Sequence, residues 1–337
     1  MLKRIATALT LASLALTPAF AAEKISGAGA SFPAPLYYDW AYSYGKETKI
    51  QVNYQSIGSG GGIKQITNRI VDFGASDAPL DNKALEKANL LQFPAVIGAI
   101  VVAYNIPGIG DEQLKLTNED VADIFAGKIT MWNDPKLAKE NAGLKLPNQK
   151  IIVVHRSDGS GTTFNFTYYL TQSSKMWKDT YGTGKAIDWA TGMGGKGNEG
   201  ISNLLMQTPY TIGYVETAYK EKNHLAAATL QTASGKWVTA SEENIMAAAK
   251  YASWTKQGNF YALLALQPGD NSYPIVAATF ILLPKEKKAW AKDKEVTKFY
   301  NYGYEHGQAA AKKLGYIPLP ASTVKMINEY WTENNVK

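Results

Sequence analysis

Apolar residues along this chain fall into two alternating rhythms. Short runs at 50–54, 93–104, 151–154, 210–215 and 275–283 are rich in Val, Ile, Tyr and Phe and predict strands. Between them, amphipathic stretches at 118–124, 200–206, 242–251 and 294–314 predict helices. Thr117 with Asp120 makes the pattern of a capping box at the start of the first of these. Strands and helices that alternate in this way predict an α/β fold. Two apolar segments are bracketed by proline, one from Pro94 to Pro107 and one from Pro274 to Pro284. They suit either two central strands stopped by proline or two crossings between lobes, with a second domain inserted between them. The pattern alone leaves both open. No internal repeat or low-complexity linker interrupts it.

The polar positions carry most where a predicted strand hands over to a predicted helix. Arg156-Ser157-Asp158-Gly159-Ser160-Gly161-Thr162-Thr163 follows one apolar run and precedes a helix-like stretch from Phe164. A strand, a tight turn and a helix start gather unpaired backbone N–H groups and hydroxyls around one point, and the helix dipole adds positive potential there. Arg156 supplies a permanently charged fork of donors, and Asp158, two residues on in an extended segment, points the same way and can hold that fork. Two further turns share this design, Gly27-Ala28-Gly29-Ala30-Ser31-Phe32-Pro33 and Gly58-Ser59-Gly60-Gly61-Gly62. One such turn is ordinary loop geometry. Three together, with the hydroxyls of Ser31, Ser59, Ser160 and Thr162, predict a site for a tetrahedral oxyanion.

Asp77, in Ala75-Ser76-Asp77-Ala78-Pro79, changes that picture. Its plainest role is a turn or helix cap. A carboxylate only accepts hydrogen bonds, so beside an anion site it favours an anion that carries a proton. HPO₄²⁻ or H₂PO₄⁻ can donate to Asp77, whereas sulfate at neutral pH cannot. The unmet partner is the sort of defect worth about 10⁴–10⁵ in discrimination.

Composition narrows the setting. Lys3 and Arg4, an uncharged and mostly apolar stretch at 5–16 and Ala19-Phe20-Ala21 predict a cleavable export signal over 1–21, with the mature chain starting at Ala22 or Glu23. No later segment reaches the roughly 18 uninterrupted apolar residues of a membrane span, so no membrane insertion is expected. There are no cysteines among the 337 residues, which excludes a disulfide framework, thiolate metal sites and an N-terminal lipid anchor on cysteine. Removing Lys3 and Arg4 takes the net charge from +6 to +4, too little and too scattered for a nucleic-acid partner.

The case for an enzyme is thin. His155, His224 and His306 have no partners at metal-ligand spacing, so no metal site is expected. Ser160 lacks the glycines two residues to either side that a nucleophile elbow requires. The letters Gly195-x-Gly197-x-x-Gly200 match a dinucleotide pattern, but they follow a polar, glycine-rich stretch rather than a buried strand, and no cofactor is expected. A secreted phosphatase using the same anion nest is the alternative from another class. A binder of sulfate or molybdate is a third, against which Asp77 argues.

Six segments, in order along most of the chain, resemble the family of periplasmic phosphate-binding proteins of ABC phosphate transporters, the PstS family. They are Gly-Ala-Gly-Ala-Ser-Phe-Pro-Ala-Pro at 27–35, Tyr-Gln-Ser-Ile-Gly-Ser-Gly-Gly-Gly at 54–62 and Asp-Phe-Gly-Ala-Ser-Asp-Ala-Pro-Leu at 72–80; Arg-Ser-Asp-Gly-Ser-Gly-Thr at 156–162, Gly-Gly-Lys-Gly-Asn-Glu-Gly at 194–200 and Ile-Gly-Tyr-Val-Glu at 212–216 complete them. The resemblance implies a two-lobed periplasmic-binding-protein architecture of type II, each lobe a mixed sheet flanked by helices, joined by two crossing hinge strands. Lobe I would comprise 22–98 and 275–337, and lobe II the inserted 99–274. It further implies that Ala30, Ser31 and Phe32 form the first nest and that Ser59 adds a hydroxyl. Asp77 would accept the ligand's proton, Arg156 would be the charged donor held by Asp158, and Ser160, Gly161 and Thr162 would complete the second nest. Ser31 stands where threonine is common, and His155 where a second arginine can occur. The implied protein is a non-catalytic monomer in the periplasm that captures inorganic phosphate and hands it to the membrane subunits of an ABC importer.

Overall fold

The computed structural model describes residues 24–337; the export signal expected at 1–21 lies outside the described residues. The principal strands are β1 (Lys24–Gly29), β2 (Gln51–Ser56), β3 (Phe73–Ser76), β4 (Leu90–Asn105), β5 (Ile152–Arg156), β6 (Met193–Gly195), β7 (Thr211–Glu216) and β8 (Ile275–Pro284). The helices that bear on the site are α1 (Ala34–Thr48), α2 (Ser59–Thr67), α3 (Gly161–Ser173), α4 (Gly197–Gln207) and α5 (Trp290–His306). The strands join edge to edge in the order β2-β1-β3-β8-β4-β7-β5-β6. Within this run β1 pairs in parallel with β2 and β3, and β5 in parallel with β7 and β6. Between the two parallel groups, β8 and β4 run antiparallel to their neighbours.

β4 explains the proline-bracketed apolar segment. It has 16 residues, about 50 Å of extended chain, which is more than one small sheet uses. Leu90 to Ala99 pair with β8, and Ile100 to Asn105 pair with β7. The strand thus leaves one parallel group and enters the other, and β8 returns the chain to the first. The fold is α/β and two-lobed, with a mixed sheet in each lobe and two strands crossing between them. Each lobe has its own aromatic packing. Tyr300 of α5 meets Tyr37, Phe73 and Phe93 edge-on at 5.6, 5.5 and 5.8 Å in one. In the other, Phe166 stacks on Tyr214 at 4.3 Å and meets Phe125 at 4.8 Å. Such contacts add roughly 0.5–1.5 kcal/mol each beyond the area they bury.

The capping box stands as expected: the Thr117 hydroxyl accepts the Asp120 N–H at 3.0 Å, and Asp120 accepts the Thr117 N–H at 2.9 Å. Three strands depart from the expected pattern because they are short or rich in small residues. β1, β3 and β6 lack the sustained apolar run that announces a strand. The turn expected at 27–33 is a strand through Gly29, and the stretch before Asp77 is the buried strand β3. The reason is visible at Gly27, where a Cβ would lie 2.0 Å from Cζ of Phe73; only glycine lets that ring cross the neighbouring strand. The helix expected over 294–314 breaks at Gly307, whose carbonyl accepts the Trp40 indole N–H at 3.1 Å.

Gly303, one turn earlier on α5, provides a test of this packing. Replacing a helical glycine by alanine ordinarily gains about 0.5–1 kcal/mol. Here the new methyl would sit 2.5 Å from Cε3 of Trp40, and overpacking a tight core costs about 1–3 kcal/mol. Gly303→Ala is therefore expected to lower the urea midpoint of unfolding with an unchanged slope. A raised midpoint would show that the indole yields freely.

Candidate anion site

The site lies where the carboxyl ends of parallel strands from both lobes face each other, with helix starts pointing into the same space. In each lobe the central parallel strand (β1, then β5) has neighbours wound to either side, the switch point at which open α/β sheets bind ligands. Residues expected from sequence converge there from both sides. Gly60 N–H donates to the Gly159 carbonyl at 2.7 Å, and Asn165 Nδ2 to the Asp77 carbonyl at 2.7 Å. A Cβ on Gly161 would lie 2.4 Å from Ser59 Oγ and 2.6 Å from Asp77 Oδ2, so the start of α3 rests directly on the opposite lobe. The cleft is closed, and Ser31, Ser59, Asp77, Arg156, Ser160 and Thr162 are all buried in it.

Arg156 ends β5 with its guanidinium inside the protein. Nε donates to Asp158 Oδ1 at 2.7 Å, Nη2 to Asp158 Oδ2 at 2.6 Å and Nη1 to Thr162 Oγ1 at 3.1 Å. A guanidinium has five N–H donors, so two remain. Asp158 also accepts the N–H of Gly197, the first residue of α4, at 3.0 Å. Burial pushes the Asp158 carboxyl up, but the Arg156 hydrogen bonds and charge outweigh it and hold the group below its ordinary range. It stays ionised and keeps the fork in place. Ser160 caps α3, its Oγ accepting the Thr163 N–H at 2.9 Å. That leaves the N–H groups of Gly161 and Thr162, with the Ser160 hydroxyl proton, as donors of the second nest.

The first nest is smaller than expected by one donor. Ala30 N–H donates to the Ala75 carbonyl at 3.0 Å, because Ala30 continues the β1–β3 ladder, so that donor is spent within the lobe. Ser31 and Phe32 N–H groups have no acceptor among the described residues. Ser59 opens α2, where its oxygen accepts the Asp77 N–H at 3.1 Å.

Asp77 follows β3 and is buried. Its Oδ1 accepts the Thr279 hydroxyl at 2.7 Å, while Oδ2 has only the Ser59 hydroxyl at 3.4 Å, a long contact. Burial pushes this carboxyl up to about 7; the Thr279 hydrogen bond, the Arg156 charge and the Ser59 contact oppose the rise without cancelling it. Oδ2 thus has hydrogen-bonding capacity to spare where the two lobes meet, and it is an acceptor once the carboxyl is ionised.

Three residues of the site were not assigned from sequence. Thr279 is the lone polar side chain in an otherwise apolar strand, a signal that was available. Asn198 stands in the 194–200 motif, and Asn165 lies one turn into α3 without a sequence signal. The Gly195-x-Gly197-x-x-Gly200 letters begin at the end of β6, a three-residue strand with Met193 and Gly194 exposed rather than a buried strand, and open helix α4. Their N–H groups serve Asp158 and Ser31 within this site. Among the described residues no group of His, Asp and Glu is arranged to hold a metal ion.

The titration of Asp77 predicts a stability trend. An unfolded aspartate releases its proton near 3.8, the folded one at about 7. Between those values the folded chain binds more protons than the unfolded one, so stability falls as pH rises through that window. Glu216, pushed up to about 8 from 4.5 mainly by burial, adds a slope of the same sign. Asp77→Asn is expected to flatten, without abolishing, the decline in urea midpoint from pH 4 to 7. A decline as steep as the parent's would show that Asp77 is ionised throughout.

Comparison with known proteins bears on the family and the fold. The family model described as a PBP superfamily domain matches residues 16–304. The phosphate-binding protein PstS of Haemophilus influenzae is 50% identical over 323 residues, covering 96% of each chain. That of Pasteurella multocida is 49% identical over 324 residues, covering 96% of this chain and 94% of its own. Among solved structures, a phosphate-binding protein from Stenotrophomonas maltophilia superposes with a TM-score of 0.70 at 22% identity, covering 91% of this chain and 94% of that one. A high-affinity periplasmic phosphate-binding protein solved with phosphate superposes at 0.72 with 18% identity, covering 91% and 93%. These last two share the fold, and the close sequence relatives place the protein within it: the chain belongs to the PstS family of phosphate-binding proteins, in the periplasmic-binding-protein superfamily.

Proposed function

We propose that this protein binds inorganic phosphate between its lobes and delivers it to the membrane subunits of an ABC importer, without catalysis. The observation that carries this reading is the pairing of many donors with one spare acceptor. Two guanidinium N–H groups of Arg156, the N–H groups of Ser31, Phe32, Gly161 and Thr162, and the hydroxyls of Ser31, Ser160 and Thr162 supply donors, and the Ser59 hydroxyl joins them when the ligand takes over its long contact to Asp77 Oδ2. Asp77 Oδ2 supplies the acceptor that a protonated oxyanion satisfies and sulfate leaves unmet. Asp158 acts through Arg156, and Ala30 contributes shape rather than a donor. In this reading lobe I comprises 22–98 and 275–337 and lobe II 99–274, and closure brings the two nests onto one ligand.

We assign residues 1–21 to a cleaved export signal and the mature chain to the periplasm as a monomer, the state that suits carriage of one ligand to a membrane partner. Among the described residues no helix is long and apolar enough to cross a membrane.

Calorimetric titration of the anion-stripped protein near pH 7 is expected to show one-to-one phosphate binding, micromolar or tighter, which corresponds to about −8 kcal/mol or better. Sulfate is expected to give no heat. Arg156→Ala is expected to cost about 2–4 kcal/mol of binding, the scale of a buried charged hydrogen bond. Asp77→Asn should lose less for phosphate than it gains for sulfate; a mutant with the parent's selectivity would remove Asp77 from this role. Turnover of an aryl phosphate would return the enzyme reading.

A further inference from the structure

We infer that Asn198 is the positioning residue that compels two hydroxyls, one from each lobe, to donate their protons to the bound anion. The inference rests on the phosphate reading of the site. A serine or threonine hydroxyl has one proton and two lone pairs and turns to suit its neighbours. In an anion site this freedom is a liability, since a hydroxyl whose proton has another acceptor presents an oxygen to an oxyanion. The hydrogen bonds around Asn198 remove this freedom at Ser31 and Thr162.

Asn198 is the second residue of α4 and is fully buried. Its Oδ1 accepts the Glu216 N–H at 3.1 Å. A backbone N–H can only donate, so this contact settles which end of the amide is oxygen and makes Nδ2 the donor end. One Nδ2 contact is to Ser31 Oγ at 2.9 Å and the other to Thr162 Oγ1 at 3.3 Å. Ser31 Oγ also accepts the Asn198 N–H at 3.0 Å, a helix-start donor with no partner inside α4. Thr162 Oγ1 also accepts Arg156 Nη1 at 3.1 Å. Each hydroxyl oxygen therefore accepts twice, and its lone pairs are filled. The one remaining polar capacity of each group is its proton, with no acceptor among the described residues.

The same amide spans the cleft. Ser31 follows β1, while Asn198 and Thr162 stand on the helices that follow β6 and β5, so the bridge exists only when the lobes are closed. Closure and the orientation of the two hydroxyls are then one event. In the open state Ser31 loses both of its donors and its proton is free to find water or a carbonyl. This makes the donor set of the site complete in the closed state alone, and couples ligand discrimination to closure rather than to encounter.

A double-mutant cycle tests this, read by calorimetric titration with inorganic phosphate on the anion-stripped protein. In the parent, Ser31→Ala is expected to weaken phosphate about tenfold, the scale of one hydrogen bond to a charged group. Asn198→Leu, similar in size but without donors, is expected to weaken it about tenfold or more. In the Asn198→Leu background, Ser31→Ala should then cost less than about threefold, because the hydroxyl no longer donates reliably; a role in packing alone predicts additive losses. If Asn198→Leu does not melt cooperatively, Asn198→Asp replaces it. There the introduced carboxylate draws both hydroxyl protons toward itself, and Ser31→Ala is expected to be neutral or to improve binding. Equal losses from Ser31→Ala in both backgrounds, or phosphate binding by the Asn198 variant within about threefold of the parent, overturns the inference. Arg156→Ala serves as the control. A parent that binds no phosphate overturns the reading on which the inference rests, whereas a parent that binds, is weakened by Arg156→Ala and shows an additive Asn198 cycle overturns the inference alone.

Discussion

The buried guanidinium of Arg156 sets the terms for everything around it. A charge taken out of water without a partner costs several kcal/mol, and the fold answers with a bidentate carboxylate at 2.6 and 2.7 Å. That carboxylate is itself steadied by the start of helix α4 through Gly197. The pair is neutral as a unit, so the site does not attract an anion by an excess of positive charge. It offers instead directed donors already in place: two guanidinium N–H groups, helix-start amides and oriented hydroxyls. Fixed dipoles of this kind need no rearrangement when the anion arrives, and because they are buried they are screened by salt far less than a surface patch.

Placement of these donors follows from topology. Parallel strands end with their carboxyl ends on one side, and helices that follow them begin there, so each lobe gathers orphan amide groups at a single edge. Two lobes that face each other edge to edge double the supply. The long strand β4 and its partner β8 make that arrangement possible, since they tie the two sheets together while leaving the facing edges free to approach. Thr279 belongs to β8 and reaches Asp77, so the element that joins the lobes also holds the acceptor of the site.

In the proposed reading Asp77 and Asn198 act in opposite senses, and selectivity rests on both. Asp77 keeps an acceptor where a ligand must bring a proton, and its burial makes an unmet contact expensive. Asn198 turns hydroxyls that would otherwise be ambiguous into donors. Together they fix the polarity of each position around the ligand, which distinguishes recognition of one oxyanion from general attraction to negative charge.

Much of this was legible in the sequence, for physical reasons. The Arg156–Thr162 run, the glycine-rich helix starts and Asp77 are local features whose chemistry follows from residue type and from their place between a strand and a helix. The alternation of apolar runs announced the α/β class, and the absence of cysteine with the charged and apolar opening at 3–16 bounded the setting. Three things required the tertiary structure. The strands β1, β3 and β6 are rich in small residues, and for β1 only the ring of Phe73 crossing Gly27 shows why. The loss of Ala30 as a donor depends on a ladder partner 45 positions away, Ala75. Asn198 acquires its role from Ser31, Thr162 and Glu216, three residues remote from it in the chain or across the cleft. Residue types and their local order settle which groups can bind an anion; which of them remain unpaired, and which way their protons point, depends on long-range hydrogen bonds that exist only once the chain has folded and the lobes have met.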